Sequence, residues 1–180
     1  SLLDVMLESG ERLLQSHEDV QFFLPRAHTI DRSELEAFIS ERNVPVTITE
    51  DHTYDLMQIC DVCLAASGTA TLETAMMELP TVLLYKVSPI TYGIGKMVVN
   101  LTHVGLPNIV AGKEVIPELL QDDVSVDAIV NTVLPLLDDL QVNQRMRTEL
   151  RSVRDKLGEP GAVNRVAQLI YNLGKENIDE

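Results

Sequence analysis

The sequence predicts a doubly wound α/β domain, in which helices cover both faces of a parallel sheet. Four short apolar runs alternate with amphipathic segments along the chain up to Tyr85. Such alternation indicates parallel strands, because right-handed crossover connections place helices on both faces and bury each strand twice. At 180 residues the chain is long enough to form one domain with its own core.

Hydrophobic spacing and turn residues define the elements of the first half. Leucines and Met6 recur at three-to-four spacing at the start of the chain, which predicts an amphipathic helix. Pro25 ends the first apolar run, and the β-branched residues between Val44 and Ile48 are typical of a strand. The predicted order is helix 2–16, strand 20–24, helix 32–42, strand 44–48, helix 55–60, strand 62–66, helix 69–78 and strand 81–85.

The second half is predicted to be mainly helical. A helix is predicted over residues 90–99, and it is followed by a turn-rich loop with a short helix over 101–121. Gly158 is a typical helix stop, and Pro160 is a typical helix start. The three remaining predicted helices span 126–136, 143–157 and 160–173.

Composition excludes several classes of protein. Hydrophobic residues make up 45% and charged residues 23% of the chain, which is typical of a folded soluble domain. The net charge of −14 disfavours binding to a nucleic-acid backbone, which needs clustered lysines and arginines. No apolar run approaches the ~20 residues of a membrane span, and the first residues do not resemble a signal peptide. We expect a cytoplasmic protein without a nucleic-acid partner.

Cys60 and Cys63 form a C-x-x-C pair, a spacing that redox and zinc sites also use. The chain has no other cysteine, and its four histidines are scattered. Buried cysteines are common in protein cores. We therefore interpret the pair as structural thiols at the start of a strand and expect no metal site.

The stretch CLAASGTATLE, from Cys63 to Glu73, carries the strongest indication of function. Small and hydroxyl-bearing residues stand where a strand ends and a helix begins: Ser67, Gly68, Thr69 and Ala70. Doubly wound folds bind ligands at the carboxyl ends of their strands, where helix N-termini offer N–H groups and a dipole that favours negative charge. The turn therefore predicts an anion site that suits a diphosphate.

Glu73 lies one helical turn beyond this site, on the face that carries Thr69 and Ala70. A carboxylate there can accept hydrogen bonds from both hydroxyls of a ribose, as acidic residues do in dinucleotide folds. The pattern then indicates a nucleoside diphosphate. The alternative is structural, with Ser67 and Thr69 as helix caps and Glu73 as a complement to the helix dipole. The spacing alone leaves both open.

Longer stretches of the chain resemble the lipid-A-disaccharide synthases, glycosyltransferases of the GT-B fold in Gram-negative bacteria. They are ASGTATLE at 66–73, PTVLLYKVSPITYGIGK at 80–96 and VGLPNIVAGKEVIPELLQ at 104–121, and the likeness continues to GEPGAVNRVAQLI at 158–170. The resemblance implies the Rossmann-like carboxy-terminal half of a GT-B enzyme, which holds the nucleotide. On this basis residues 1–180 are expected to form a single UDP-sugar-binding domain.

The resemblance also implies a reaction. The family transfers 2,3-diacylglucosamine from its UDP derivative to 2,3-diacylglucosamine 1-phosphate, and the products are the β-1,6-linked disaccharide 1-phosphate and UDP. The anomeric centre is inverted. Neither metal nor cofactor is implied, since helix N-termini and basic side chains stabilise the leaving diphosphate. Because the substrates are lipids, the resemblance implies peripheral contact of the full enzyme with the inner membrane.

Site residues follow from the same resemblance. The turn 67–70 is expected to hold the diphosphate, and Glu73 is expected to bind the ribose. Lys86 and Lys113 stand where the family uses lysine or arginine, and either is expected to neutralise the phosphates as a point charge.

Asn108 is expected to project into the cleft near the donor, where its amide can both donate and accept hydrogen bonds. The segment 48–61 is placed beside the uracil. The family's acceptor-binding amino-terminal domain is absent from this chain, and so is the strand that the family places before the first helix. We therefore expect a fragment that lacks its first strand, and no catalytic base is assigned because the family carries it on the absent domain.

The helices from about residue 126 onward are expected to pack back on the domain or on a partner. In GT-B enzymes the last helix crosses to the amino-terminal domain. The apolar face formed by Val163, Val166, Ala167 and Ile170 is therefore expected to be partly exposed in this chain. An exposed apolar face favours self-association, which predicts a homodimer or a domain swap.

Two alternative functions remain open. A UDP-GlcNAc 2-epimerase or the lipid II glycosyltransferase shares the glycine and glutamate of the ribose helix, but neither is expected to carry GLPNIVAGKE. A non-catalytic interaction domain would use the small turn only as a helix cap, and UDP would then give no stabilisation.

Overall fold

The structure is a computed structural model that describes residues 2–66, 68–87, 103–158 and 161–176. The strands in those ranges are β1 (Phe22–Pro25), β2 (Val46–Thr49), β3 (Cys63–Ala65), β4 (Thr81–Tyr85) and β5 (Glu118–Leu120). The helices there are α1 (Leu2–Leu14), α2 (Arg32–Ser40), α3 (Thr53–Ile59), α4 (Gly68–Met76), α5 (Leu106–Ala111), α6 (Val126–Asp138), α7 (Leu140–Leu157) and α8 (Ala162–Glu176). The helix predicted over 90–99 lies outside the described residues.

The described strand pairs are all parallel, which confirms the predicted doubly wound α/β class. β1 pairs with β2 in one sheet, and β4 lies between β3 and β5 in the other. Side chains along β4 alternate between two cores, with Val82 and Leu84 in one and Leu83 in the other. Within the described residues no strand joins β1 to β3.

One face of the three-stranded sheet is covered by α1 and α6. Val82 and Leu84 of β4 pack there with Leu13 of α1 and with Ile129 and Val133 of α6. All five side chains are buried. Burial of a leucine or valine contributes roughly 1.5–3 kcal/mol relative to its exposure, so this cluster is a main source of stability.

A different face of α1 packs on the two-stranded sheet. Leu7 packs with Leu35 and Ile39 of α2 in a separate cluster. Gly10 of the same helix lies so close to the segment before β2 that a Cβ there would be 3.2 Å from Val44 Cγ1. A side chain at this position would push α1 outward. Since Leu13 and Leu7 lie in different clusters, α1 connects the cores of both sheets.

The other face of the three-stranded sheet is covered by α4, α5 and α7. Its core contains Ala75 of α4, Leu83 of β4, Ile116, and Leu150 and Val153 of α7. These side chains are at most 1% exposed. Because helices lie on both faces, β4 is buried twice, as the continuous apolar run TVLLY predicts.

Two polar side chains of α7 hold the loops at the amino ends of β3 and β4. Asn143 Nδ2 donates to the Asp61 carbonyl at 3.1 Å and to the last turn of α6. Arg147 donates to the carbonyls of Cys60 and Glu78, each at 3.2 Å, and its Nε donates to Asn143 Oδ1 at 2.8 Å. The carbonyls of Cys60, Asp61 and Glu78, which precede the two strands, thereby accept hydrogen bonds from α7.

Glu78 is the residue of this loop whose charge we expect to affect stability. Its carboxylate accepts two hydrogen bonds from Arg151, at 2.7 and 3.0 Å, and it also pairs with Arg154. These bonds, chiefly those from Arg151, lower the pKa of Glu78 below its ordinary value of 4.5. Because the pKa of Glu78 is lower in the folded than in the unfolded protein, its charge stabilises the fold at any pH above the unfolded-state pKa. That stabilisation is lost as the pH falls through the folded-state pKa.

We expect Glu78→Gln to lower the free energy of unfolding by about 1–2 kcal/mol at pH 7, since two charged hydrogen bonds are weakened. The difference in the free energy of unfolding between variant and parent should narrow as the pH is lowered below 4.5, because protonation removes the charge of Glu78 in the parent. Urea unfolding at several pH values measures this, with the exposed Glu41→Gln as a control. A difference that stays constant down to acid pH would contradict the assignment.

The main difference from the predicted elements is β5, at Glu118–Leu120. The sequence predicts only a turn-rich loop and a short helix over 101–121, because three residues after a proline carry too weak a pattern for a strand. The short helix is present as α5. Other boundaries shift by a few residues, as in β1, which starts at Phe22 and not at Val20.

α8 presents an apolar face to solvent. Every side chain described on this helix, from Val163 to Asn172, is exposed, and Val163 is 81% exposed. α6 and α7, by contrast, pack on the sheet and on each other. None of the helices in the described ranges combines the length and the hydropathy that a membrane span needs.

Candidate nucleotide site

The small turn predicted from the sequence lies at the carboxyl edge of the three-stranded sheet. β3 ends at Ala65 and α4 begins at Gly68, while Ser67 lies outside the described residues. In the first turn of α4, Thr69 is exposed and Ala70 is partly buried. The N-terminus of this nine-residue helix therefore lies at the edge where doubly wound folds bind ligands.

Buried threonines anchor α4 behind that turn. Thr71 Oγ1 donates to the Gly68 carbonyl at 2.7 Å, and Thr74 Oγ1 donates to the Thr71 carbonyl at 3.0 Å. Thr81, at the start of β4, donates to Thr74 Oγ1 at 2.8 Å. The hydroxyls of α4 that face inward are thus structural, and they fix the direction in which the helix start points.

Gly68 also lies against a second turn, the one that leads into α5. A Cβ at Gly68 would be 3.7 Å from the Val104 carbonyl oxygen and 3.8 Å from Leu106 Cγ. The starts of α4 and α5 are therefore neighbours. Glu73, the predicted ribose ligand, is exposed one turn further along α4.

Asn108 does not project into a cleft, and this corrects the expected placement of its amide. The residue is 0% exposed. Its Oδ1 accepts from the N–H groups of Val115 and Ile116, at 2.7 and 2.9 Å. Its Nδ2 donates to the Ile116 carbonyl at 2.9 Å and to Glu118 Oε1 at 2.7 Å. All four hydrogen bonds that an amide can make are occupied, so Asn108 connects α5 to the segment before β5.

Glu118 is the residue of this region that the sequence analysis missed. Its side chain is 7% exposed and lies on β5, level with Leu83 of β4. The carboxylate accepts from the N–H groups of Val104 and Gly105, both at 2.9 Å, in addition to the Asn108 amide. The sequence carries no local signal for it, since a glutamate directly before two leucines argues against burial until its distant partners are known.

A sequence model of the lipid-A-disaccharide synthetase family matches residues 1–171. The chain belongs to this family. Similar proteins include the lipid-A-disaccharide synthases of Geobacter sulfurreducens and Geobacter metallireducens, which are 42% and 39% identical over 176 residues. These alignments cover 97% of this chain and 46% of each relative. The chain thus spans about half the length of the curated relatives it matches, and the family predicted from its motifs is confirmed.

The two lysines expected at the phosphates lie in different places in this lipid-A-disaccharide synthetase family member. Lys86 directly follows β4, so it shares the carboxyl edge with Gly68, and it is exposed. Lys113 lies beyond the C-terminal end of α5, whereas Gly68 contacts the region where α5 begins. Its ammonium pairs with Glu149 of α7 at 2.7 Å. The structure therefore brings Lys86, and not Lys113, to the edge of the candidate site.

The loop that the family resemblance places beside the uracil begins at the carboxyl end of β2. Glu50 pairs there with Arg26 at 2.8 Å and with Arg32 at 3.1 Å. Hydrogen bonds from Arg26 and then Arg32 hold the pKa of Glu50 below its ordinary value. Asp51 and His52 follow with φ values of 60° and 52°. Two successive left-handed residues other than glycine are costly and persist only where neighbouring contacts hold them.

The C-x-x-C pair has no metal-site geometry in this family member. Both cysteines are free thiols. Burial raises the pKa of Cys63 to about 12 and also raises that of Cys60, so neither thiol is activated at neutral pH. Over the described parts of the chain, no group of three histidine, cysteine or acidic residues is arranged to hold a metal ion.

Proposed function

We propose that residues 1–180 form the UDP-sugar-binding domain of a lipid-A-disaccharide synthase. The protein that contains them transfers 2,3-diacylglucosamine from its UDP derivative to 2,3-diacylglucosamine 1-phosphate. The observation that carries this proposal is the start of α4 at the carboxyl edge of a parallel sheet, in a chain that belongs to this family. The match over residues 1–171 favours this function over a 2-epimerase or the lipid II glycosyltransferase.

In the proposed reaction, the 6-hydroxyl oxygen of the acceptor bonds to the anomeric carbon of the donor. The bond between that carbon and the diphosphate oxygen breaks, and UDP leaves with its electron pair. The anomeric configuration inverts because the oxygen attacks opposite the leaving group. The hydroxyl proton passes to a general base outside this chain. The part of the present chain is to bind UDP and to stabilise the charge that develops on the diphosphate.

The diphosphate is proposed to lie at the turn 67–70. Backbone N–H groups of Gly68 and Thr69 stand at the positive end of the α4 dipole. Lys86 supplies a compact ammonium at the same edge of the sheet. A local device of this kind is needed in a chain whose net charge is −14, because the overall field repels anions. The buried Asn108 and the remote Lys113 take no direct part in this proposal.

The ribose is proposed to lie beside Glu73. The carboxylate is one turn away from the helix start, so it avoids the phosphates and can accept hydrogen bonds from both ribose hydroxyls. The base then extends toward the loop after β2, near Thr49 and Glu50. In this arrangement the acidic Glu73 faces the neutral ribose, and the basic Lys86 lies near the anionic diphosphate.

A UDP titration of the full-length protein tests the proposal. We expect Glu73→Ala to weaken UDP binding at least about ten-fold, because the carboxylate accepts two hydrogen bonds from the ribose. Isothermal titration calorimetry measures this, and Glu34→Ala, an exposed glutamate on α2, is the control that should bind as the parent does. A folded parent protein without UDP affinity would favour the alternative of an interaction domain.

We also propose that the complete protein contacts the cytoplasmic side of the inner membrane peripherally, since the proposed substrates carry acyl chains. The exposed apolar face of α8 is proposed to be covered by another part of the protein or by a second copy as a dimer or domain swap. Light scattering of this chain alone that shows only monomer would remove the second possibility.

A further inference from the structure

We propose that Glu118 is a positioning residue of the nucleotide site, which holds the turn 104–106 against Gly68 at the start of α4. The inference rests on the proposed function, because the turn beside Gly68 matters for activity only if α4 binds the nucleotide. Glu118 is not placed in contact with the nucleotide. It acts through the main chain of the turn.

The carboxylate of Glu118 is buried and fully engaged. Oε1 accepts from the Gly105 N–H at 2.9 Å and from Asn108 Nδ2 at 2.7 Å, and Oε2 accepts from the Val104 N–H at 2.9 Å. A buried carboxylate is tolerated only when such partners compensate for its lost hydration. His103 Nδ1 also lies 3.9 Å from Oε1. Since two of the three hydrogen-bond donors are consecutive main-chain N–H groups, the carboxylate fixes the main chain of that turn.

Asn108 prevents the carboxylate from moving. Its amide cannot be flipped, because the reversed orientation would point the amide N–H donors at the N–H groups of Val115 and Ile116. The Nδ2 donor to Glu118 is therefore fixed in direction as well as in distance. Strand β5, the turn 104–106 and α5 are joined by one buried polar network.

The turn has no free space around Gly105. A Cβ at Gly105 would lie 3.1 Å from Glu118 Oε1 and 3.3 Å from Leu83 Cδ2, so the turn is enclosed between the carboxylate and β4. On its other side the turn lies close to Gly68, where an added Cβ would be 3.7 Å from the Val104 carbonyl oxygen and 3.8 Å from Leu106 Cγ. A displacement of the turn therefore changes the surroundings of the first N–H groups of α4.

Glu118 also occupies two N–H groups that directly precede α5, those of Val104 and Gly105. Their partial positive charge is thereby neutralised within the protein. A diphosphate at this edge cannot use these two groups, whereas the N–H groups of Gly68 and Thr69 stand at the start of α4.

Two variants of the full-length protein test the proposal. Glu118→Gln keeps the side-chain shape but places an NH₂ group against at least one N–H donor. Gly105→Ala leaves the carboxylate in the sequence and displaces it through the added methyl group. The first readout is the amide resonance of Gly68 in ¹⁵N-glycine-labelled protein without ligand. The second is the dissociation constant for UDP, measured by calorimetry.

We expect both variants to shift the Gly68 resonance and to weaken UDP binding by about ten-fold, the loss that one charged hydrogen bond represents. Ile39→Ala is the matched control, since it destabilises the separate α1–α2 core and should leave both readouts unchanged. Equal weakening in this control would overturn the proposal, because the effect would then be general destabilisation.

An unchanged Gly68 resonance together with parental UDP affinity in both variants would also overturn it. If the parent protein itself does not bind UDP, the proposed function fails. The Gly68 resonance still decides the positioning role in that case: a shift supports it, and its absence overturns it.

Discussion

Asn108→Asp is expected to lower the free energy of unfolding by about 3–5 kcal/mol at pH 7, the range for breaking a buried polar pair by changing one partner. Asn108 Nδ2 donates to the Ile116 carbonyl and to Glu118 Oε1, at 2.9 and 2.7 Å. Aspartate would replace this donor by an oxygen. Two acceptors, the Ile116 carbonyl and the Glu118 carboxylate, would then face a second carboxylate in a site closed to water.

Urea unfolding of the variant measures this effect, and Asn131→Asp provides the matched control. Asn131 is exposed on α6, so the control adds the same charge where water solvates it. The control is expected to change the free energy of unfolding by less than about 0.5 kcal/mol. Equal effects of the two substitutions would mean that the Asn108 amide does not hold the network described above.

Leu150→Ala is expected to lower the free energy of unfolding by about 2–5 kcal/mol, the range for leucine truncation in a closed core. Leu150 is 0% exposed and packs in the cluster that contains Ala75 and Leu83. The substitution leaves a cavity between α7 and the sheet, because several elements enclose the site and none can close the space alone.

Leu140→Ala is the control for this prediction. Leu140 lies on the same helix, at its first residue, and is 73% exposed. The same chemical change there should cost less than about 0.5 kcal/mol. Thermal unfolding of the two variants in parallel measures how much more the buried leucine contributes than the exposed one.

The position of the candidate site was predictable because it depends on local sequence. β4 has the predicted limits of 81–85, and α4 starts one residue before the predicted Thr69. An apolar run followed by small residues and a glycine indicates a strand, a turn and a helix over a short stretch of chain. No distant contact is needed to recognise it.

β5 and Glu118 were not predictable in the same way, because both depend on distant contacts. The segment 118–120 is a strand only because Leu83, Leu84 and Tyr85 pair with it. Its leucines carry no strand preference of their own. A charged residue at its start also argues against burial until the N–H groups of Val104 and Gly105 are seen to pair with it.

Asn108 shows a further limit. The stretch VGLPNIVAGKEVIPELLQ at 104–121 is part of the resemblance to the family, yet a sequence does not show which way an amide points. Its orientation depends on the N–H groups of residues 115 and 116, which return to α5 only because the chain turns back into β5. An amide can satisfy main-chain groups or a ligand equally well, so chemistry alone left the outcome open.

The contact between α1 and α6 has a consequence for synthesis. His17, just after α1, pairs with Asp138 at the end of α6, and the two residues are 121 positions apart. A ribosome adds about 5–20 residues per second, so α1 waits several seconds or longer for its packing partner. During that interval the side chains of Leu2, Val5, Met6 and Leu13 lack the core that later covers them. The apolar side chains of α1 are therefore open to chaperone capture or to aggregation until α6 has been made.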